Sequence, residues 1–301
     1  MAVIRALHFS DVHVDVPASQ IPLGDWLGKR LIGGANHALR RGRHFREARE
    51  KLSALASFAA SAQIDLSVCT GDYTVLGSDA ELGAAAAAVE PLTRPALGFV
   101  TVPGNHDLYV PDTTRERRFE KHFGKWLTTD CPELAVDGGW PLVRIFGDSL
   151  AVVAISSARP NPQPWRSSGL VPAAQLEALV RALDDERLRD RFVLVITHYA
   201  VRLASGDRDR ATHALDNADE LMRVLAPRRR VALLHGHVHQ RYRLDLPHFG
   251  PTILGAGSAT MEGREGFWLL EIERDAAFAT PGAYVDGRYV LLEDQRAPLS
   301  A

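Results

Sequence analysis

Short apolar runs punctuate the chain, and several are continuous where a half-exposed strand would alternate. Ile4–Phe9, Leu66–Thr70, Phe99–Val102, Leu150–Ser156, Phe192–Thr197, Val231–Leu234, Thr252–Leu254, Phe267–Glu273 and Tyr284–Leu292 read as strands. Uninterrupted runs of Val, Leu and Ile mark strands covered on both faces. Between them the period changes. Phe45, Ala48, Leu52, Leu55 and Ala59 recur at helical spacing, as do Leu176, Leu179, Val180 and Leu183 behind Pro172, and Leu215, Leu221, Met222 and Leu225. Ala84–Ala88 favours helix by propensity. Strands alternating with helices predict an α/β fold. After about residue 240 the helices stop, and strands with Gly turns such as Asp286-Gly287 take over. No repeat or low-complexity linker divides the 301 residues, so the expectation is one domain over 1–301 with elaborated loops at about 14–43 and 108–148.

Composition narrows the class without naming a function. With 46% hydrophobic and 24% charged residues and a formal charge of −2, a disordered chain and a globally basic nucleic-acid binder are excluded. A core of this size needs no stapling, and Cys69 and Cys131 are too sparse for a disulfide framework or a thiolate metal site. The start of the chain turns polar too soon for a signal segment, and no apolar run is long enough to span a bilayer. These features predict a cytoplasmic protein. The anomaly is histidine, of which there are 12.

Their placement carries the chemistry. Five predicted strands run into polar clusters: Ser10-Asp11-Val12-His13, Thr70-Gly71-Asp72, Pro103-Gly104-Asn105-His106-Asp107, Thr197-His198 and His235-Gly236-His237-Val238-His239. In α/β sheets, ligands bind beyond the carboxyl ends of strands, where these clusters fall. Asp11 and His13, like His237 and His239, are two apart, which in extended chain puts both side chains on one side. Gly71, Gly104 and Gly236 allow tight turns and close backbone approach. Each cluster alone is weak: a lone Asp-Val-His at a strand end is more often a turn than a ligand pair, and His198 reads equally as a core histidine. Together they offer more imidazoles and carboxylates than one mononuclear site needs. Nitrogen and oxygen donors without thiolate suit Mn, Fe, Zn or Co, and two ions can share a carboxylate.

In order, Asp11-x-His13, Gly71-Asp72, Gly104-Asn105-His106-Asp107, His198 and Gly236-His237-x-His239 resemble the five motifs of calcineurin-like metallophosphoesterases over roughly residues 4–260. Gly-Asn-His-Asp with Gly-His-Val-His is most similar to the bacterial cyclic-nucleotide phosphodiesterase group. The resemblance implies a four-layer α/β/β/α sandwich, two packed mixed β-sheets flanked by helices, and a centre of two divalent metal ions. It implies that Asp11, His13, Asp72 and His239 hold one ion, with Asp72 bridging, and that Asn105, His198 and His237 complete the other. Asn105 and His106 would contact the phosphate, His106 would assist the leaving group, and Asp107 would orient His106 through a hydrogen bond. A hydroxide between the ions would attack the phosphodiester in line. One position departs: that group often has a second His and a Pro after the His198 position, whereas this chain reads His198-Tyr199-Ala200-Val201. The change bears on the substrate wall, not on metal binding.

Net charge conceals a strong local feature. Lys29, Arg30, Arg40, Arg41, Arg43, Arg46, Arg49 and Lys51 are opposed only by Glu47 and Glu50, a balance of +6, and are interleaved with Trp26, Leu27, Leu31, Ile32, Leu39 and Phe45. Three readings fit: a solvated helix face, a lid over a large anionic small-molecule phosphoester, or a patch within 24–51 touching an anionic membrane surface. The last keeps a second activity in view, that of the superfamily's UDP-diacylglucosamine pyrophosphatases, with the protein peripheral to the membrane. A nuclease ranks third, because no basic stripe with stacking aromatics occurs elsewhere. A non-enzymatic scaffold would be expected to have lost ligands, and none is lost here. Among the remaining residues, His8 and His235 read as buried histidines, and His37, His44, His122, His213 and His248 as exposed ones. Tyr73, Tyr109 and Tyr199 lie near enough to the clusters to line a pocket. Gly255-Ala256-Gly257-Ser258 reads as a strand-end turn, not as a nucleophile.

Overall fold

The computed structural model describes residues 3–26, 28–36, 42–136, 139–161, 163 and 165–299. Alternating side chains in the strands set the layers. In β1 (Ile4–Phe9), Ala6 faces one core while Leu7 and Phe9 face another. In β6 (Phe192–Ile196), Leu194 and Ile196 join Ala6 in that first core, and Val193 and Val195 enter a third. The shared core therefore lies between two sheets, each with a second apolar face that helices must cover.

The first sheet contains β1, β2 (Leu66–Cys69), β3 (Phe99–Thr101), β10 (Phe267–Ile272), β11 (Ala277–Val285) and β12 (Arg288–Leu291), in the order β12-β11-β10-β1-β2-β3, with β13 (Ala297–Pro298) on β11. The second contains β4 (Leu142–Phe146), β5 (Leu150–Ala154), β6, β7 (Val231–His235), β8 (Arg241–Leu244) and β9 (Thr252–Ala256), in the order β4-β5-β6-β7-β9-β8. Both sheets are mixed: β1-β2-β3 and β5-β6-β7-β9 run parallel, and the other pairings are antiparallel. Helices α2 (Ala48–Ser61), α3 (Asp79–Val89) and α5 (Arg118–Phe123) cover the first sheet through Leu52, Leu55, Leu82 and Phe119. Helices α6 (Ala173–Asp184) and α7 (Ala218–Leu225) cover the second through Leu176, Leu179, Leu221 and Leu225. The result is the four-layer α/β/β/α sandwich expected.

Details differ from the sequence reading. β4, β8, β13 and most of β11 were not anticipated, and Tyr284–Leu292 holds the turn of the β11–β12 hairpin in place of one strand. Asp286 and Gly287 both adopt positive φ there, the two-residue turn whose twist suits paired strands. The long connections are also less bare than expected. They carry α1 (Lys29–Asn36), α4 (Pro111–Arg115), α5 and several single turns of 3₁₀ helix. Among the described residues, no helix is long and apolar enough to cross a membrane.

His8 is fully buried, with Nε2 3.1 Å from Thr70 Oγ1 and no partner on Nδ1. Burial, helped by nearby His235 and opposed by Asp11, lowers its pKa to about 3. Between that value and the ordinary one near 6.5, the unfolded chain binds a proton that the native protein lacks. Stability should therefore fall as the pH drops, by about 1.4 kcal/mol between about pH 7.5 and about pH 5.5 from this residue alone. Equilibrium denaturation at the two pH values measures the loss, and His8→Gln should reduce it. An identical pH dependence in both proteins would contradict the assignment.

Candidate metal centre

All five predicted clusters meet at one edge of the two sheets. Parallel pairing places the ends of β1, β2 and β3 together, and the ends of β6 and β7 likewise. The extended geometry expected of Asp11-x-His13 and His237-x-His239 is not what aligns them. Asp11, His13, Asp72, His237 and His239 all have φ between 44° and 70°, half of the ten non-glycine residues with positive φ among those described. Left-handed backbone is costly without glycine and persists where surrounding contacts enforce it. Those contacts are present. Asp11 N donates to Gly71 O (2.9 Å), and Val12 N and His13 N both donate to Asp72 O (2.8 and 3.0 Å). Asp11 in turn accepts from His237 N, at 3.2 and 3.0 Å to its two oxygens. Ser258 Oγ donates to Asp11 O at 2.6 Å, so the Gly-rich turn after β9 is a brace and its serine is not positioned as a nucleophile.

Two glycines are required by close approach. A Cβ on Gly104 would lie 2.1 Å from Asp72 Oδ1, and one on Gly236 would lie 1.9 Å from Ser10 Oγ and 2.4 Å from Asp11 Oδ2. Gly236→Ala should therefore destabilise the protein by about 1–3 kcal/mol and lower its metal content. Denaturant midpoints with metal analysis test this; a wild-type midpoint and stoichiometry would refute it.

The donor atoms fall into two clusters that share Asp72: Asp11, His13, Asp72 and His239, and Asp72, His198 and His237. Within each, the donor atoms lie within 4.8 Å of one another. Asn105 Oδ1 is 3.1 Å from His198 Nε2 and extends the second cluster. The chemistry of these donors fits divalent cations. His13 Nδ1 lies 2.9 Å from Thr74 O, and His198 Nδ1 lies 2.7 Å from Thr70 O. A carbonyl only accepts, so both rings carry the proton on Nδ1 and turn a lone pair inward from Nε2. Those lone pairs face Asp72 Oδ2 at 3.8 and 3.4 Å, and His13 Nε2 is 3.1 Å from His239 Nε2. Acceptors pointed at acceptors call for positive charge between them. Burial alone would lower the His198 pKa, but without a cation the Asp72 carboxylate draws a second proton onto the ring and raises it to about 9, which is the same demand for positive charge beside Asp72. Burial alone would raise the Asp72 carboxyl, yet His198, His106 and His13 hold it well below its ordinary range.

His106 sits between this centre and a cavity of about 650 Å³. Its Nδ1 lies 2.5 Å from Val75 O, its backbone N–H donates to Asp72 Oδ1 at 2.8 Å, and its ring stacks on Tyr109 with centroids 5.5 Å apart. Asp107 does not orient His106. Its buried carboxylate accepts from Tyr73 N, Thr74 N, Thr74 Oγ1 and Gly104 N at 2.8–3.1 Å, so it ties two loops together beneath the site. Neighbours in a tight turn point apart, and adjacency in sequence misled on this point.

Other residues also fall differently from expectation. Of the three tyrosines, only Tyr109 lines the cavity. Tyr73 packs on Phe123, and Tyr199 is buried behind His237 at 4.1 Å between ring centroids, with its hydroxyl donating to Ser167 O. His213 is not an exposed histidine. It stacks on His237 (3.9 Å, 26° between planes), its carbonyl oxygen lies 2.9 Å from His237 Nε2, and its Nδ1 lies 2.5 Å from Asp209 Oδ2. Asp209, His213 and His237 form a third close grouping. The His213 ring and its carbonyl oxygen both brace His237, and the His213 Nδ1 is engaged by Asp209. His8 and His235 are buried as expected, and burial lowers the His235 pKa to about 4. His248 is exposed, His44 and His122 are half-buried beside Glu262 and Asp79, and His37 lies outside the described residues.

The basic segment is not a solvated face throughout. Arg30 is buried, donating to Leu76 O, Gly77 O, Thr113 Oγ1 and Asp25, and Lys51 is buried against Glu265 at 2.7 Å. Phe45 packs on the His13 ring. Arg43, Arg46 and Arg49 are exposed, whereas Leu27, Leu39, Arg40 and Arg41 lie outside the described residues. Lys29 reaches the cavity, with Nζ 4.4 Å from the Tyr109 ring centre. Arg166, Arg210 and Arg264 add cations to the cavity wall, and Ile32 and Trp165 add apolar surface. No spacing rule in the sequence pointed to these wall residues.

Comparison with known proteins gives the same class. Residues 4–241 match the family model for calcineurin-like phosphoesterases, and the chain belongs to that family. Its members are metal-dependent hydrolases of phosphoric esters, and two divalent cations are the cofactors that the paired clusters accommodate. Among solved structures, a dimetal phosphatase from Danio rerio is similar at 13% identity and a TM-score of 0.64, over 96% of this chain and 98% of that one. The purple acid phosphatase PPD1 from yellow lupin aligns at 11% identity and 0.61, over 96% of this chain but 53% of its own. GAP50, described as the anchor in the inner membrane complex of Plasmodium, aligns at 12% and 0.59, over 100% of this chain and 89% of its own. At such identities the likeness is one of fold. No curated protein matches the chain.

Proposed function

We propose that this protein hydrolyses phosphodiester-type linkages at a dinuclear centre held by Asp11, His13, Asp72 and His239 on one side and Asp72, Asn105, His198 and His237 on the other. The observation that carries the reading is the pair of donor clusters sharing Asp72 beneath a cavity that His106 borders. Two bound cations would supply Lewis acidity towards phosphate oxygens and an acidified water as nucleophile. The remaining work belongs to the chain. Asn105 and His106 line the floor where a phosphoryl group would rest, and the Val75 carbonyl fixes the His106 ring so that Nε2 can meet it. Lys29, Arg210 and Arg264 provide countercharge beyond the phosphate, and Tyr109, Ile32 and Trp165 provide apolar surface for its second substituent. A cavity of about 650 Å³ is large for a bare phosphate and suits a substituted one.

Cyclic nucleotides belong to this substrate class, and the Gly-Asn-His-Asp and Gly-His-Val-His motifs favour them. One observation favours the second reading, a pyrophosphatase of the UDP-diacylglucosamine type: the apolar Ile32 and Trp165 stand at the cavity wall, and Tyr199 is buried where the cyclic-nucleotide group often has a second histidine. A panel at defined metal loading decides. It comprises a cyclic nucleotide, a phosphomonoester, a linear diester and a nucleoside-diphosphate lipid analogue. Turnover of a diester at least roughly tenfold above the monoester is expected, because the extra substituent gains contacts on the cavity wall. Fastest turnover of the lipid analogue would select the second reading, and monoester preference or a rate indifferent to metal stripping would overturn both.

A further inference from the structure

Helix α1 is amphipathic with its faces reversed. At 100° per residue, Arg30, Gly33 and Gly34 share one side and Leu31, Ile32 and Ala35 the other. The side holding the arginine is the one turned inward. Arg30 is 2% exposed in its network of carbonyls and Asp25, and Gly33 and Gly34 pack so closely that a Cβ would lie 2.4 Å from Tyr109 and Trp26 respectively. Leu31 and Ile32 are 60% and 56% exposed. The surface continues beyond the helix. Leu23, in the 3₁₀ turn before α1, is 89% exposed, and Trp165, tied to α1 by Lys29 Nζ reaching Arg166 O at 3.3 Å, is 76% exposed. Four of the six exposed large apolar side chains of the described residues thus belong to this one region. An exposed apolar stripe of this kind, backed by a buried and fully engaged arginine, marks an interaction surface.

Charge identifies the occupant. Lys29 lies on the helix itself, and Arg210 and Arg264 lie on the cavity wall; Arg166, beside Trp165, is paired with Asp216. The acid on that wall outside the metal centre, Asp209, is engaged by His213. Apolar side chains and a tryptophan set among cations match the boundary of an anionic bilayer, where acyl chains meet negative headgroups. We propose that α1, Leu23 and Trp165 dock this protein on anionic membrane surface with the catalytic cavity opening beside the contact. The proposal extends the enzymatic reading without depending on which ester is cleaved.

Sedimentation with vesicles tests it. Full-length protein is mixed with phosphatidylcholine vesicles and with phosphatidylcholine–phosphatidylglycerol vesicles, at low and high salt. Wild type should pellet with the anionic vesicles, less so at high salt, and weakly with the neutral ones. The double variant Leu23→Ser/Leu31→Ser touches neither the metal centre nor the cavity wall, and should bind roughly tenfold or more weakly while hydrolysing a soluble ester at the wild-type rate. Failure of wild type to pellet, or equal pelleting of the variant, would overturn the proposal. So would a wild-type dimer in solution that the variant dissociates, since a second copy would then cover the stripe. Vesicle binding is read without turnover, so it can fail or succeed independently of the assigned activity.

Discussion

Asp72→Ala should empty both halves of the metal centre and lower kcat/KM roughly 10³-fold or more, since a two-metal clamp contributes several kcal/mol to the transition state. Asp72 is the one side chain common to both donor clusters. It also does more than donate. Its Oδ1 accepts the His106 backbone N–H, its backbone oxygen accepts from Val12 and His13, and its Oδ2 faces the lone pairs of His13 and His198. Removing the carboxylate leaves His198 and His237 with no anion between them and the first cluster with Asp11 alone, so each cation would lose charge compensation as well as a ligand. Asp72→Asn separates these effects, because it keeps the shape and one oxygen while discarding the charge. Metal content by elemental analysis should fall in both variants, further in alanine, with the fold intact by circular dichroism. Two equivalents of metal retained in Asp72→Ala would remove the basis for a shared ligand.

The parts of this arrangement legible in the sequence are those that depend on chain order. Apolar runs ending in Asp, His or Asn predicted the strands and the ligand-bearing loops after them, and β1, β2, β3, β6 and β7 end in those loops. The parts that were not legible depend on contacts across the fold. The left-handed turns at Asp11, His13 and His237 are enforced by hydrogen bonds between loops that are far apart in sequence. His213 lies 24 residues before His237 and meets it because the segment after β6 returns over the site, which no local spacing records. Asp107 shows the converse error, since a neighbour in sequence was taken for a partner in space. β4 and β8 escaped because each is short and carries arginines, Arg144 in β4 and Arg241 and Arg243 in β8, at half-exposed positions. α1 inverts the usual inference, for there the apolar stripe marks the outside.

His106→Ala should leave the metal content unchanged and cost about 10²–10⁴-fold in kcat, the range removed with a positioned acid–base group. Its imidazole is placed for that work. Nδ1 is committed to the Val75 carbonyl, the ring is held between Tyr109 and His13, and the side chain lines the cavity. In the proposed reaction Nε2 is the atom that would meet substrate. Two roles are open to it there, binding a phosphoryl oxygen or protonating the departing one, and they predict different dependence on the leaving group. A nitrophenolate departs without a proton, whereas an alkoxide needs one. If His106 protonates the leaving oxygen, His106→Ala should lose far more activity on an alkyl ester than on a nitrophenyl ester. If it only binds the phosphoryl group, the two losses should match. His106→Gln adds a second comparison, since an amide can donate a hydrogen bond but cannot transfer a proton, and it should restore activity only in the binding case. Steady-state rates on the two esters, with metal analysis of each variant, discriminate the roles. Near wild-type turnover on both esters in His106→Ala would exclude His106 from the reaction.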